Sequence, residues 1–170
     1  FPEVRFSHCG GMWTEGKHPK NTGSYFGYID ECQYLNGVIA GLETSLREDF
    51  GASRWVILIT DPSLAALGQA SSPHLRVVPR GSPELKIFET FFDSGRPRSG
   101  QIRDTQRDYL FGGEGSQVGS TVLIPLGERA GLGLLAIASH DTERYLPTMS
   151  TDYLVRIGEI VTEAVSARPA

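Results

Sequence analysis

The chain has 170 residues, a net charge of −4, 39% hydrophobic and 21% charged residues. That length suits one domain with its own core, and that composition excludes a disordered chain. The acidic balance argues against nucleic acid as a partner, and no apolar run reaches the roughly 18 residues that span a bilayer. The two cysteines, Cys9 and Cys32, are too few for a disulfide framework and favour a reducing compartment. The opening residues lack a charged head followed by an apolar stretch, so no secretory leader is expected.

Residues 1–24 are rich in Gly, His, Lys and Thr without a countable period, and they read as a polar arm ahead of one domain over 25–170. His8, Cys9 and His18 in this arm are the metal candidates. They lack the paired spacing of zinc sites, so a solvated arm is the preferred reading and no metal is expected.

From Tyr25 to Phe50, apolar side chains fall at Tyr28, Cys32, Leu35, Ile39, Leu42 and Leu46, a near-heptad helical stripe. Gly37 and Gly41 each weaken a helix by nearly ~1 kcal/mol relative to Ala, so tertiary contacts must hold it. The stripe packs on the domain's own sheet, forms a dimer interface, or does both on different faces. Gly51 is its expected stop. Trp55-Val-Ile-Leu-Ile-Thr60 reads as a buried strand, and Leu75-Arg-Val-Val78 as a weaker one. Residues 63–73 read as a loop or short helical turn.

Ser82-Pro83-Glu84 is a helix start with a capping hydroxyl, and Leu85, Phe88, Phe91 and Phe92 follow at helical spacing. Gly95 and Pro97 end that helix. Gly100 to Arg103 reads as briefly extended, Asp104 as the cap of a second short helix, and Gly112-Gly-Glu-Gly115 as a flexible break. Ser120–Leu126 and Gly133–Ala138 are strands joined by a short glycine-bearing connection, hence an antiparallel hairpin. Pro125 lacks an amide donor and should sit where the ladder is open. Ser150 or Thr151 caps a last helix with the stripe Tyr153, Leu154, Ile157, Ile160, Val161, Ala164 and Val165. Strands clustered around a hairpin, with helices at both ends, indicate an α+β fold: a mostly antiparallel sheet with the terminal helices on one face.

The strings Gly95-Arg-Pro-Arg-Ser-Gly100, Tyr109-Leu-Phe-Gly112, Gly119 to Leu126, Gly133 to Tyr145 and Thr151-Asp-Tyr-Leu154 resemble a bacterial branch of the GAF fold, the "domain of unknown function 484" family. Leu46-Arg-Glu-Asp-Phe-Gly51 is similar to that family's lead into its first strand. The likeness runs over about residues 42–166. It implies a GAF-like central antiparallel sheet with N- and C-terminal helices on one face and loops and short helices on the other, enclosing a ligand pocket. It also implies a cytoplasmic location and a homodimer through the terminal helices, and it implies no established activity. The chain departs from the family at Ala138-Ser139, where Gly-Ser is usual, and at Met149-Ser-Thr-Asp152, where Met-Gly-Thr-Asp is usual. A Cys often precedes the glycine where this chain has Ser99-Gly100. The first 40 residues do not resemble the family's long charged helix. The cyclic-nucleotide signature of other GAF domains is not evident, and no cofactor is expected.

Residues 92–119 would cover the sheet and offer Arg96, Arg98, Ser99, Arg103, Tyr109 and Phe111 to a ligand. Asp152 joins them at the start of the last helix. An arginine pair can hold a carboxylate or phosphate by bidentate bonds. The competing reading makes the arginines surface charges, or partners of Asp93 and Asp104, and makes Tyr109 and Phe111 core. Ser139-His140-Asp141 resembles a hydrolase triad only in composition, because consecutive residues of an extended chain point to opposite sides. A turn in which Asp141 bonds its own backbone is expected instead. The chain therefore reads as a non-catalytic sensory or regulatory module for a small molecule or partner protein, not an enzyme. The alternatives are a structural dimerisation module and, less favoured, a thiol-dependent redox enzyme.

Overall fold

The computed structural model describes residues 6–9, 22–25, 29–64 and 73–166. Two short strands, β1 (Phe6–Cys9) and β2 (Thr22–Tyr25), pair in parallel, and all but Tyr25 fall in the stretch read as a polar arm. Helix α1 (Ile29–Glu48) leads to the main sheet of β3 (Arg54–Ile59), β4 (Leu75–Val77), β5 (Arg98–Gly100), β6 (Ser120–Leu126) and β7 (Gly133–Ser139). Helices α2 (Glu89–Ser94) and α3 (Asp104–Phe111) fall between β4 and β6, and α4 (Thr151–Ser166) closes the order. The sheet runs β4-β3-β7-β6-β5. Three of its pairings are antiparallel, as expected, and β3 with β4 is parallel. The connection of residues 60–74 supplies the dozen or more residues that a parallel return requires.

Strand alternation divides the apolar residues between two faces. Trp55, Ile57, Ile59, Val122, Ile124, Leu135 and Ile137 face Leu46 of α1 and Leu154, Ile157, Val161 and Val165 of α4. Val56, Leu58, Leu123, Leu134 and Ala136 face Leu85, Phe88, Phe91, Phe92 and Leu110 of the cover. Each such side chain contributes about 1.5–3 kcal/mol when fully buried, which outweighs the weak helix propensity of glycine-bearing α1. Leu42 and Leu46 of the α1 stripe pack on the chain's own sheet. The side chains of Tyr28, Cys32, Leu35 and Ile39 lie outside the described residues. Gly37 and Gly41 are exposed, with no atom near the position of a Cβ.

Pro125 behaves as its chemistry demands. Its neighbours Ile124 and Leu126 turn their backbone toward β7, where the Leu132 N–H donates to the Leu126 carbonyl at 3.0 Å. Pro125 therefore faces the β5 side, beyond the last β5 pairing at Arg98 and Leu123. Helix α4 crosses here. A Cβ on Gly158 would lie 2.8 Å from the Pro125 carbonyl oxygen and 2.9 Å from the Ile124 side chain. Only glycine allows that approach without a shift of the helix.

Several local expectations need correction. Ser82 makes no side-chain cap; Pro83–Phe88 is a 3-10 helix, and the Leu85 N–H takes the Ser82 carbonyl at 3.0 Å in place of the hydroxyl. The strand expected at Gly100–Arg103 lies at Arg98–Gly100. Asp104 is the first residue of α3, not its cap. Extended Arg103 takes that place, and the Gln106 side chain accepts the Arg103 N–H at 3.2 Å. Gly112–Gln117 is a 3-10 helix where a flexible break was expected. Gly95 does end α2, in the left-handed region at φ 56, and a Cβ there would meet the Arg129 Cα at 3.0 Å.

The segment after β7 ties the two ends of the domain together. Arg144 Nε donates to the Phe50 carbonyl at 2.8 Å, and the Tyr145 hydroxyl donates to the same oxygen at 3.0 Å. A guanidinium at the C-terminal end of α1 also complements the helix dipole. Burial pushes the Tyr145 phenol up to about 12, opposed by neighbouring Arg144. An unfolded tyrosine titrates near ~10, so the folded state holds this proton more tightly. The resulting stability is fully present below about pH 10 and is lost as pH rises through the folded value. Urea unfolding is expected to show a loss of the order of 2–3 kcal/mol across that window. Tyr145→Phe should flatten this loss, while costing about 1 kcal/mol at pH 8 through the missing hydrogen bond. An equally steep decline in Tyr145→Phe would assign the titration to another group.

Candidate functional site

The β5 edge of the sheet carries a cleft of about 420 Å³ on its covered face. Its floor is Leu123 of β6. Its walls are Arg98 and Ser99 of β5, Arg103 and Gln106 at the start of α3, Pro147 ahead of α4 and Thr151, the first residue of α4. Three of the sequence-predicted residues, Arg98, Ser99 and Arg103, thus meet in one place. Each is held differently. Arg98 Nη2 donates to the Thr90 carbonyl at 2.8 Å, and Nη1 to the Thr90 hydroxyl at 3.3 Å. Ser99 Oγ donates to the Leu146 carbonyl at 2.8 Å, fastening the segment before α4 to β5. Arg103 is exposed. Among the described residues, Asp104 pairs with Arg107 at 3.1 Å and Arg98 is held on Thr90, so neither enters the alternative ion pairing. Gln106 is buried and engaged at both ends of its amide, with Nε2 donating to the Ile87 carbonyl at 2.6 Å and Oε1 accepting the Arg103 N–H.

A second cavity of about 190 Å³ adjoins the cleft and shares Gln101 and Ile102 with it. Arg107, Asp104, Val118 and Thr121 line it. Thr121 is 1% exposed, and its hydroxyl has no hydrogen-bond partner among the described residues. A buried polar group left unpaired costs about 1–3 kcal/mol, so such a group calls for an explanation. Sequence reasoning missed Thr121, because a threonine in a β-branched run signals a strand and nothing more.

The other predicted residues are not drawn into the cleft. Arg96 is exposed on the turn after α2, where its N–H meets Ser94 Oγ at 3.4 Å. Tyr109 packs edge-on to Phe88 at 5.8 Å in the cover core, the competing reading. Burial, with Glu84 adding and Arg76 opposing, raises its phenol above the usual value. Phe111 also packs against the cover core, and it lines a third cavity near the start of β3. Asp152 is exposed in the first turn of α4.

Ser139-His140-Asp141 forms the expected turn. The Asp141 N–H donates to Ser139 Oγ at 3.2 Å, and Asp141 Oδ1 accepts the Glu143 N–H at 2.9 Å. Among the described residues, no three His, Cys, Asp or Glu gather closely enough to hold a metal ion, and no helix is long and apolar enough to cross a membrane. His18 lies outside the described residues, as do the side chains of His8 and Cys9.

The family model described as "Protein of unknown function, DUF484" matches residues 27–168, and the chain belongs to that family. The five-stranded mixed sheet with helices on one face is compatible with a GAF-like fold. No curated protein matches the sequence.

Thr121→Val keeps the shape of the side chain and replaces the unpaired hydroxyl with a methyl group. The ligand-free protein should gain about 1 kcal/mol of stability in urea unfolding. A loss of similar size would mean that the hydroxyl is satisfied.

Proposed function

We propose that this member of the DUF484 family is a non-catalytic regulatory module that binds a small molecule between its sheet and the α3 cover. The observation that carries the reading is the buried Thr121 hydroxyl, without a hydrogen-bond partner among the described residues and set in a cavity adjoining the cleft of Arg98, Ser99 and Arg103. A hydroxyl gives and accepts hydrogen bonds, and guanidiniums orient oxygen acceptors, so the ligand class is a small polar molecule bearing acceptor oxygens. The backbone engagement of Ser139 and Asp141 supports binding over acyl transfer at that turn. Ser99, where the family often carries cysteine, supports binding over thiol redox chemistry. The small number of cysteines supports a cytoplasmic setting.

Differential scanning fluorimetry against a panel of carboxylic acids, amino acids and nucleotides tests this. At least one compound should give a saturable gain in melting temperature. The gain should be lost in Thr121→Val and weakened in Arg103→Gln, each compared with its own ligand-free value. A flat response across the panel overturns the reading.

A second reading, association of two copies through the terminal helices, is favoured by one feature. Helix α4 exposes Tyr153 at 59%, Val155 at 43% and Ile160 at 57%. Sedimentation should then find a dimer at tens of micromolar, and Ile160→Glu should shift it to monomer without altering the ligand response. A wild-type monomer at that concentration removes this reading.

A further inference from the structure

The cleft and its adjoining cavity rest on neighbouring residues of one strand. Leu123 lies under the cleft, and Thr121 lines the cavity. Two residues apart on β6, they share a face of the sheet and stand about 7 Å apart along it. Gln101 and Ile102 line both spaces, so one molecule can reach from one to the other.

The two spaces differ in charge. Arg98 and Arg103 line the cleft, and no Asp or Glu among the described residues lines it with them. Asp104, next in sequence to Arg103, is engaged by Arg107, and Asp152 stands outside the lining. Arg98 has Nη1 and Nη2 on the hydroxyl and carbonyl of Thr90, neutral groups that orient the guanidinium and leave its charge. The bidentate grip therefore falls to Arg103 and suits the two oxygens of one carboxylate. The adjoining cavity is balanced instead. Arg107 Nη1 meets Asp104 at 3.1 Å, and its Nε lies 3.7 Å from Asp108, beyond hydrogen-bond reach. Thr121 Oγ1 and Arg107 Nε are both buried without a hydrogen-bond partner among the described residues. Gly100, paired with Thr121 on β5, has no side chain to offer one. A hydroxyl gives or accepts a hydrogen bond and a guanidinium nitrogen only gives, so an uncharged oxygen acceptor suits both. A second carboxylate would stand beside Asp104 and lose its hydration without a counter-charge of its own.

We infer, on the reading of these spaces as one ligand site, that the ligand is a two-ended monoanion. A single carboxylate sits at Arg98 and Arg103, and an uncharged amide or hydroxyl end sits about 7 Å away at Thr121. Dicarboxylates and acids with an apolar end are rejected at the cavity. A free amino acid is disfavoured at the cleft, where its ammonium would face the arginines.

Three acids of equal size separate these cases: glutaramate with an amide end, glutarate with a second carboxylate, and 5-methylhexanoate with an apolar end. Each is titrated at pH 7 and constant ionic strength into isotope-labelled protein, with the backbone amides of Ile102 and Gly119 as reporters at the cavity. Glutaramate should give a saturable shift and bind about tenfold more tightly than either of the others. Thr121→Val should weaken glutaramate by about tenfold and leave 5-methylhexanoate as tight or tighter, while Arg103→Gln weakens both. Equal affinity for glutarate, or an amide preference that survives in Thr121→Val, overturns the inference. So does the absence of a saturable shift with glutaramate. A flat response across the wider compound panel is needed to remove the regulatory reading as well.

Discussion

A strand hydrogen-bonded along both edges and covered on both faces has little room for polar groups, and β7 is such a strand, polar only at its last residue, Ser139. It lies between β3 and β6, and all seven of its residues are buried. Its alternating side chains feed two different cores, one under α1 and α4 and the other under the α2–α3 cover. A slip of one residue in its pairing would exchange those two sets. The layered architecture, with helices on one side and a roof on the other, follows from keeping that register.

How much of this was legible depended on whether the signal was local. The β6–β7 hairpin, β3 and the terminal helices announce themselves through apolar periodicity within a few residues. Strand β5 does not: Arg98-Ser-Gly100 is polar and becomes a strand only because Thr121–Leu123 of β6 offers a free edge. The parallel pairing of β4 is equally invisible, since Leu75–Val77 carries no mark of direction. The 3-10 turn at Pro83 replaced the expected side-chain cap because a backbone carbonyl reached the orphan N–H first.

The sites divide the same way. Arg98, Ser99 and Arg103 lie within six residues and meet in the cleft. The third cavity collects Arg47, Arg54 and Arg76 from three elements, a grouping that appears only after folding. Thr121 is unreadable for another reason: the lack of a bonding partner is a property of the surroundings and not of the residue. Helix α3 is what these regions have in common. Gln106 lines the cleft, Arg107 the adjoining cavity, and Leu110 and Phe111 the third one, all on eight residues.

Both outer strands of the main sheet are three residues long, Leu75–Val77 at one margin and Arg98–Gly100 at the other. A margin that short presents few unpaired amides to a foreign strand, and a basic side chain stands on each. The protein is thereby protected against growth by strand addition, a common route to fibrils. Any companion molecule must approach across the layers instead of extending them.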